Sequence, residues 1–108
     1  MNRVAASKAF NLQDELWPHV QCPVCGDYYT HVHQVYALES VGEYADPGYQ
    51  GAELYGIPVG GIAEGWRRGA VVIELDCESG HAFSIQLQQH KGNTAVIVND
   101  KGASAERA

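Results

Sequence analysis

Three cysteines and one histidine could do chemistry together: Cys22-x2-Cys25 and Cys77-x3-His81. Thiolate sulfur and imidazole nitrogen are the donors that structural zinc prefers, four of them in a tetrahedron. The C-P-V-C-G run at residues 22–26 is a tight turn by composition and presents two sulfurs to one point. Amides inside such a turn can donate to the thiolates, and Gly26 supplies the positive φ that closes it. Residues 77–81 form a second turn and offer the other two donors. The pattern predicts a Zn2+ site with Cys22, Cys25, Cys77 and His81 as ligands.

The fourth ligand is the least specific part of that reading, because a four-cysteine pattern would hold cysteine where Gly80 stands. His81 is the first choice, since strand parity puts it on the side of Cys77. His31 and His33 are the runners-up, with half-exposed strand histidines as their plainer reading. His90 and His19 rank below them.

Other uses of the cysteines fit less well. A Cys22–Cys25 disulfide is disfavoured in a reducing cytosol and leaves Cys77 odd. A thioredoxin-like redox C-x-x-C needs a βαβ context and a helix N-terminus, and the sequence shows neither. A catalytic zinc would keep three protein ligands and an open position. Without His81 the three cysteines would leave one, with Glu78 as proton shuttle. Zinc deaminases, however, carry H-x-E and P-C-x-x-C. Here Gln21 precedes Cys22, Pro23 lies inside the turn, and H-x-E is absent. Glu78 reads as an exposed turn carboxylate. The expectation is a protein that is not an enzyme, with a hydrolase or deaminase the least favoured alternative.

The elements that must position these donors are strands. Residues 28–39 are rich in Tyr, Val and Thr, and their even positions form the more apolar, core-facing side. Residues 69–77 put Val71, Ile73, Leu75 and Cys77 on one face. Residues 81–89 and 94–98 follow after short turns at 78–80 and 91–93. Three consecutive strands joined by short turns predict an antiparallel meander. The fold class is therefore mainly β, a small antiparallel sheet. A long loop is expected over 42–65, which holds seven glycines and two prolines. One domain spans 12–98, with 1–11 and 99–108 as flexible termini. The ordered remainder is small enough for a metal to matter to its stability.

Charge narrows the partners. The chain of 108 residues has 13 acids and 7 bases. Eight of the acids (Asp14, Glu15, Asp27, Glu39, Glu43, Asp46, Glu53 and Glu64) lie between Ala9 and Trp66, where there is no Lys or Arg. Nucleic-acid affinity comes largely from neutralised phosphates, so an acidic chain is a poor candidate for it. A local patch of Arg67, Arg68 and Lys91 is the one opening for a nucleic-acid-binding role. No stretch reaches the ~18 apolar residues of a membrane span. The start, MNRVAASKAF, lacks the apolar run of a secretory signal. A cytoplasmic location follows as an expectation, with an unidentified protein partner, no membrane, and homo-oligomerisation open through sheet edges. Trp17 and Trp66 read as core or loop-anchoring aromatics. Tyr44, Tyr49 and Tyr55 read as loop residues packed on the sheet or exposed to a partner.

The runs C-P-V-C-G-D-Y-Y-T-H (22–31), R-R-G-A-V-V-I-E-L-D-C-E-S-G-H (67–81) and Q-Q-H-K-G-N-T (88–94) together resemble small zinc-ribbon-like proteins of actinobacteria and their phages. The resemblance covers residues 20–98 apart from the glycine-rich loop. Cys22, Cys25 and Cys77 match the pattern directly, and His81 matches its C-x3-H form. The resemblance implies a zinc-ribbon fold with two zinc knuckles at one end of the sheet. It implies little about activity.

Overall fold

The computed structural model describes residues 2–40 and 53–103. The chain is mainly β, with nine strands and one short 3-10 turn among these residues. In chain order the strands are β1 (Asn2–Val4), β2 (Phe10–Asn11), β3 (His19–Val20), β4 (Thr30–Glu39), β5 (Glu53–Leu54), β6 (Ile57–Ile62), β7 (Ala70–Cys77), β8 (His81–His90) and β9 (Asn93–Ala103). The 3-10 turn, Ala6–Ala9, lies between β1 and β2. No described helix is long and apolar enough to cross a membrane.

The expected meander is present: β7, β8 and β9 are consecutive antiparallel neighbours. Gly80 (φ 96°) and Gly92 (φ 82°) take the left-handed backbone that the two short turns require. The register places Leu75 opposite Phe83, Ile73 opposite Ile85, and Ile85 opposite Val98. Directly opposed residues share a face, so these side chains form one apolar surface.

The sheet is larger and less regular than a small antiparallel one. It is mixed, with seven strands in the order β1-β9-β8-β7-β4-β6-β5. β6 runs parallel to β4, and the two are joined by a connection long enough for that crossover. Residues 53–62 were expected to be loop. They form the β5–β6 hairpin instead, turned through Tyr55 (φ 56°) and Gly56 (φ 76°). Pro58 and the Gly60-Gly61 pair mask the strand pattern there. The close approach of Gly60 to Tyr36 of β4, which leaves no room for a Cβ, is the reason for glycine. Residues 42–52 of the expected loop, with Tyr44 and Tyr49, lie outside the described residues.

The termini also differ from expectation. Asn2–Val4 pairs with β9, and β9 continues to Ala103, well past 98. The N-terminal segment then crosses one face of the sheet. β2 and β3 pair with each other, Phe10 opposite Val20. This small layer puts Ala9 and Cys22 into the core with Leu75, Cys77, Phe83, Ile85 and Val98. Val4, Phe10 and Val20 pack around that cluster. Full burial of a side chain such as Phe83 or Val98 contributes on the order of 1.5–3 kcal/mol.

β4 corrects a further expectation. Its register slips between Val32 and Gln34, a bulge at His33 in the ladder with β7. Parity reverses there. Val32 shares the face of Leu75, while Gln34 and Tyr36 share the face of Glu74 and Val72. The even positions therefore do not form one core face, and Val32 is 64% exposed.

Candidate metal centre

Cys22 stands just beyond β3, and the C-P-V-C-G turn closes through a hydrogen bond from the Gly26 amide to the Cys22 carbonyl at 2.8 Å. Gly26 has φ 76°, as the turn requires. The Val24 amide donates to Cys22 Sγ at 3.4 Å. The β7–β8 turn repeats this pattern. The Gly80 amide donates to the Cys77 carbonyl at 3.1 Å, and the His81 amide donates to Cys77 Sγ at 3.4 Å.

These two turns meet. One ligand atom from each of Cys22, Cys25, Cys77 and His81 lies within 4.8 Å of the other three. Cys25 Sγ is 3.9 Å from Cys77 Sγ. Cys77 Sγ is 3.5 Å from His81 Nδ1. A tetrahedral zinc with ordinary bond lengths separates two sulfurs by about 3.8 Å and a sulfur from a nitrogen by about 3.6 Å. Both measured edges match that tetrahedron, and the nitrogen facing the sulfurs is Nδ1. The donor set could hold a metal ion, and its number and type of donors fit zinc.

Hydrogen bonds outside the sulfurs join the same turns. Ser79 Oγ donates to Asp27 Oδ2 at 3.2 Å. The Glu78 amide donates to the Tyr29 carbonyl at 3.1 Å, and within the first turn the Cys22 amide donates to the Asp27 carbonyl at 2.9 Å. Asp27 Oδ1 also accepts from the Tyr29 amide at 2.9 Å, which fixes the exit from the first turn. Such outer contacts hold ligands in place.

Burial pushes the Cys22 thiol up to about 11, against the pull of the Cys25 and Val24 amides. At Cys25 desolvation acts the same way, but the Asp27 amide and hydrogen bonds with Cys22, Cys77 and Ser79 outweigh it and leave the thiol below its usual range. Cys22 and Cys77 are buried, and Cys25 is exposed.

The other histidines have other places. His31 Nε2 lies 3.2 Å from Glu78 Oε1, on the surface. His33 sits at the bulge of β4 and lines a cavity of about 310 Å³ with Glu74, Asp76 and Lys101. His90 meets the edge of Trp66 at a ring separation of 5.5 Å. His19 is exposed at the start of β3. None of these four belongs to the Cys-His group.

Some polar features had no warning in the sequence. Glu74 on β7 accepts from Tyr36 on β4 at 3.3 Å and pairs with Lys101 on β9. These partners become neighbours only through the register. Trp17, expected to be buried or to anchor a loop, is 71% exposed beside Leu16 at 93%. Asp14 Oδ1 accepts from the amides of both, at 3.0 Å each, so the turn is set by local hydrogen bonds rather than by burial.

A scan against protein-family models, a search of curated proteins and a search of solved structures each found no match for this chain.

Proposed function

We propose that the chain is a zinc-binding module whose Cys22, Cys25, Cys77 and His81 hold a structural Zn2+. The observation that carries this reading is the convergence of four donor atoms within 4.8 Å from two turns far apart in sequence. Bound there, the ion joins the N-terminal layer, through Cys22 and Cys25, to the β7–β8 hairpin, through Cys77 and His81. Binding is thereby linked to folding, because the unfolded chain has no assembled site. The two turns serve as zinc knuckles, and the kinship to small zinc-ribbon-like proteins rests on them.

The role is structural and not enzymatic. Four protein donors fill a tetrahedral zinc and leave no position for water. Glu78, the carboxylate in the ligand turn, is engaged by His31. The module acts through protein contacts. Leu12, Leu16, Trp17, Tyr28 and Tyr29, all more than half exposed, supply an apolar surface in the segments flanking the first ligand turn. The reduced thiols the site needs are consistent with a cytoplasmic setting.

The test is metal analysis of protein purified without chelator. One zinc per chain is expected, lost in Cys22→Ser and Cys77→Ser. Protein that is folded and metal-free as purified, and that takes up no zinc on titration, overturns the reading.

A further inference from the structure

We propose that Cys25 is an oxidation site of this protein, at which a hydroperoxide drives formation of a Cys25–Cys77 disulfide and expels the metal. The proposal rests on the zinc reading above and adds a regulation to the same site.

Accessibility distinguishes the three sulfurs. Cys22 and Cys77 are 1% and 0% exposed, so a solute does not reach them in the folded chain. Cys25 is exposed. Oxidation of thiolates follows access as well as thiolate character, and a zinc-bound cysteine is held as thiolate. A resolving partner is already in place. Cys77 Sγ lies 3.9 Å from Cys25 Sγ, and Cys77 comes from the opposite turn.

The step balances. The Cys25 thiolate attacks one peroxide oxygen. The O–O bond breaks, and the leaving hydroxide or alkoxide takes a proton from water. Cys25 is now a sulfenic acid. The Cys77 thiolate attacks the Cys25 sulfur, an S–S bond forms, and hydroxide leaves and is protonated. Two electrons pass from the two sulfurs to the peroxide. Zinc retains only Cys22 and His81 as donors, too few for a structural site.

The outcome is not unfolding. The new bond spans residues 25 and 77, so it links the same two turns that the ion joined. The sheet keeps a covalent tie in place of a metal tie.

The experiment uses hydrogen peroxide on zinc-loaded wild-type protein. Zinc content of the reduced protein is measured first. Released zinc is then followed with a chromogenic chelator, disulfides are mapped by peptide mass spectrometry, and the far-ultraviolet circular dichroism is recorded. The expected result is one zinc released per disulfide formed, a Cys25–Cys77 bond, a retained β spectrum, and zinc uptake restored by a thiol reductant. Reduced protein without zinc overturns the metal reading, and this proposal with it. Protein that contains zinc but keeps it under excess peroxide overturns the oxidation site alone. So does zinc release accompanied by a Cys22–Cys25 bond, or by loss of the β spectrum.

Discussion

Ser79 Oγ donates to Asp27 Oδ2 at 3.2 Å, and this contact joins the two ligand turns without using a sulfur. Removing the hydroxyl leaves all four ligands in the chain but loosens their alignment. Outer-shell losses typically cost about 10–100-fold in metal affinity. Ser79→Ala is expected at the lower end, about 10-fold, because Ser79 is exposed. Competition with a chelator of known affinity measures it. Unchanged affinity would mean that the sulfurs and the Glu78–Tyr29 backbone hydrogen bond align the turns without Ser79.

Histidine substitutions separate ligand from neighbour. His81→Ala removes the Nδ1 that faces Cys77 Sγ at 3.5 Å, leaving three sulfurs. Its zinc affinity should fall by orders of magnitude, and the metal-linked gain in thermal stability should shrink with it. That gain is ~2.7 kcal/mol when free zinc stands at a hundred times its dissociation constant. His31→Ala breaks only a surface pair with Glu78, in which both side chains are about half exposed. A pair of that kind contributes about 0–1 kcal/mol and should leave zinc affinity unchanged. Isothermal titration of the two variants side by side decides between the histidines. Equal losses would contradict the assignment.

These histidines also show what could be read from the sequence. His81 was identifiable because it follows Cys77 across a three-residue turn, and local spacing survives whatever the rest of the sheet does. His31 and His33 could be placed on a strand, but not sorted, because the bulge at His33 reverses the alternation from which their faces would be inferred. The meander was visible through Gly80 and Gly92, whose turns lie between apolar runs. The β4–β6 pairing was not, since Pro58, Gly60 and Gly61 are poor strand formers and parallel pairing is non-local. The Tyr36–Glu74–Lys101 group depends on the register of three strands, which no single segment encodes.

The Cys22 thiol gives the metal-free protein a definite response to alkali. Its ordinary value is 9.0, and in the folded chain burial raises it to about 11. The folded state thus holds the proton more tightly than the unfolded state. Stability from this group is full below pH 9 and is lost as the pH rises through 11. Tyr36, raised by burial and by the Glu74 charge, acts in the same direction, so the wild type alone does not isolate the thiol. Urea unfolding of chelator-treated wild type and Cys22→Ala, repeated across that range, removes Tyr36 from the comparison and reads Cys22 together with the Cys25 thiol bonded to it. The wild type should lose more stability than the variant. In zinc-loaded wild type this loss should disappear, because the ion has already displaced the proton.

Gln88 tests the end of the sheet opposite the metal centre. It is 0% exposed, and its Nε2 donates to the carbonyls of Arg68 at 2.8 Å and Gly69 at 3.1 Å. Its Oε1 accepts from Gln86 Nε2 at 2.9 Å. The amide thus holds the entry to β7 against β8. Gly69 lies close against β4, where a Cβ would meet the Leu38 carbonyl at 2.7 Å. Gln88→Leu keeps much of the volume but removes the donor to the Arg68 carbonyl and the acceptor of Gln86 Nε2, while the Gly69 carbonyl keeps the Gln89 amide at 3.2 Å. An unmade hydrogen bond to a buried group costs about 1–3 kcal/mol. The variant should lose about that much in urea unfolding while binding zinc with unchanged affinity, because the metal centre sits at the far end of β7. A parallel loss of zinc affinity would show that the two ends of the sheet unfold as one unit even under native conditions, and that the metal staples the whole sheet rather than its ligand end.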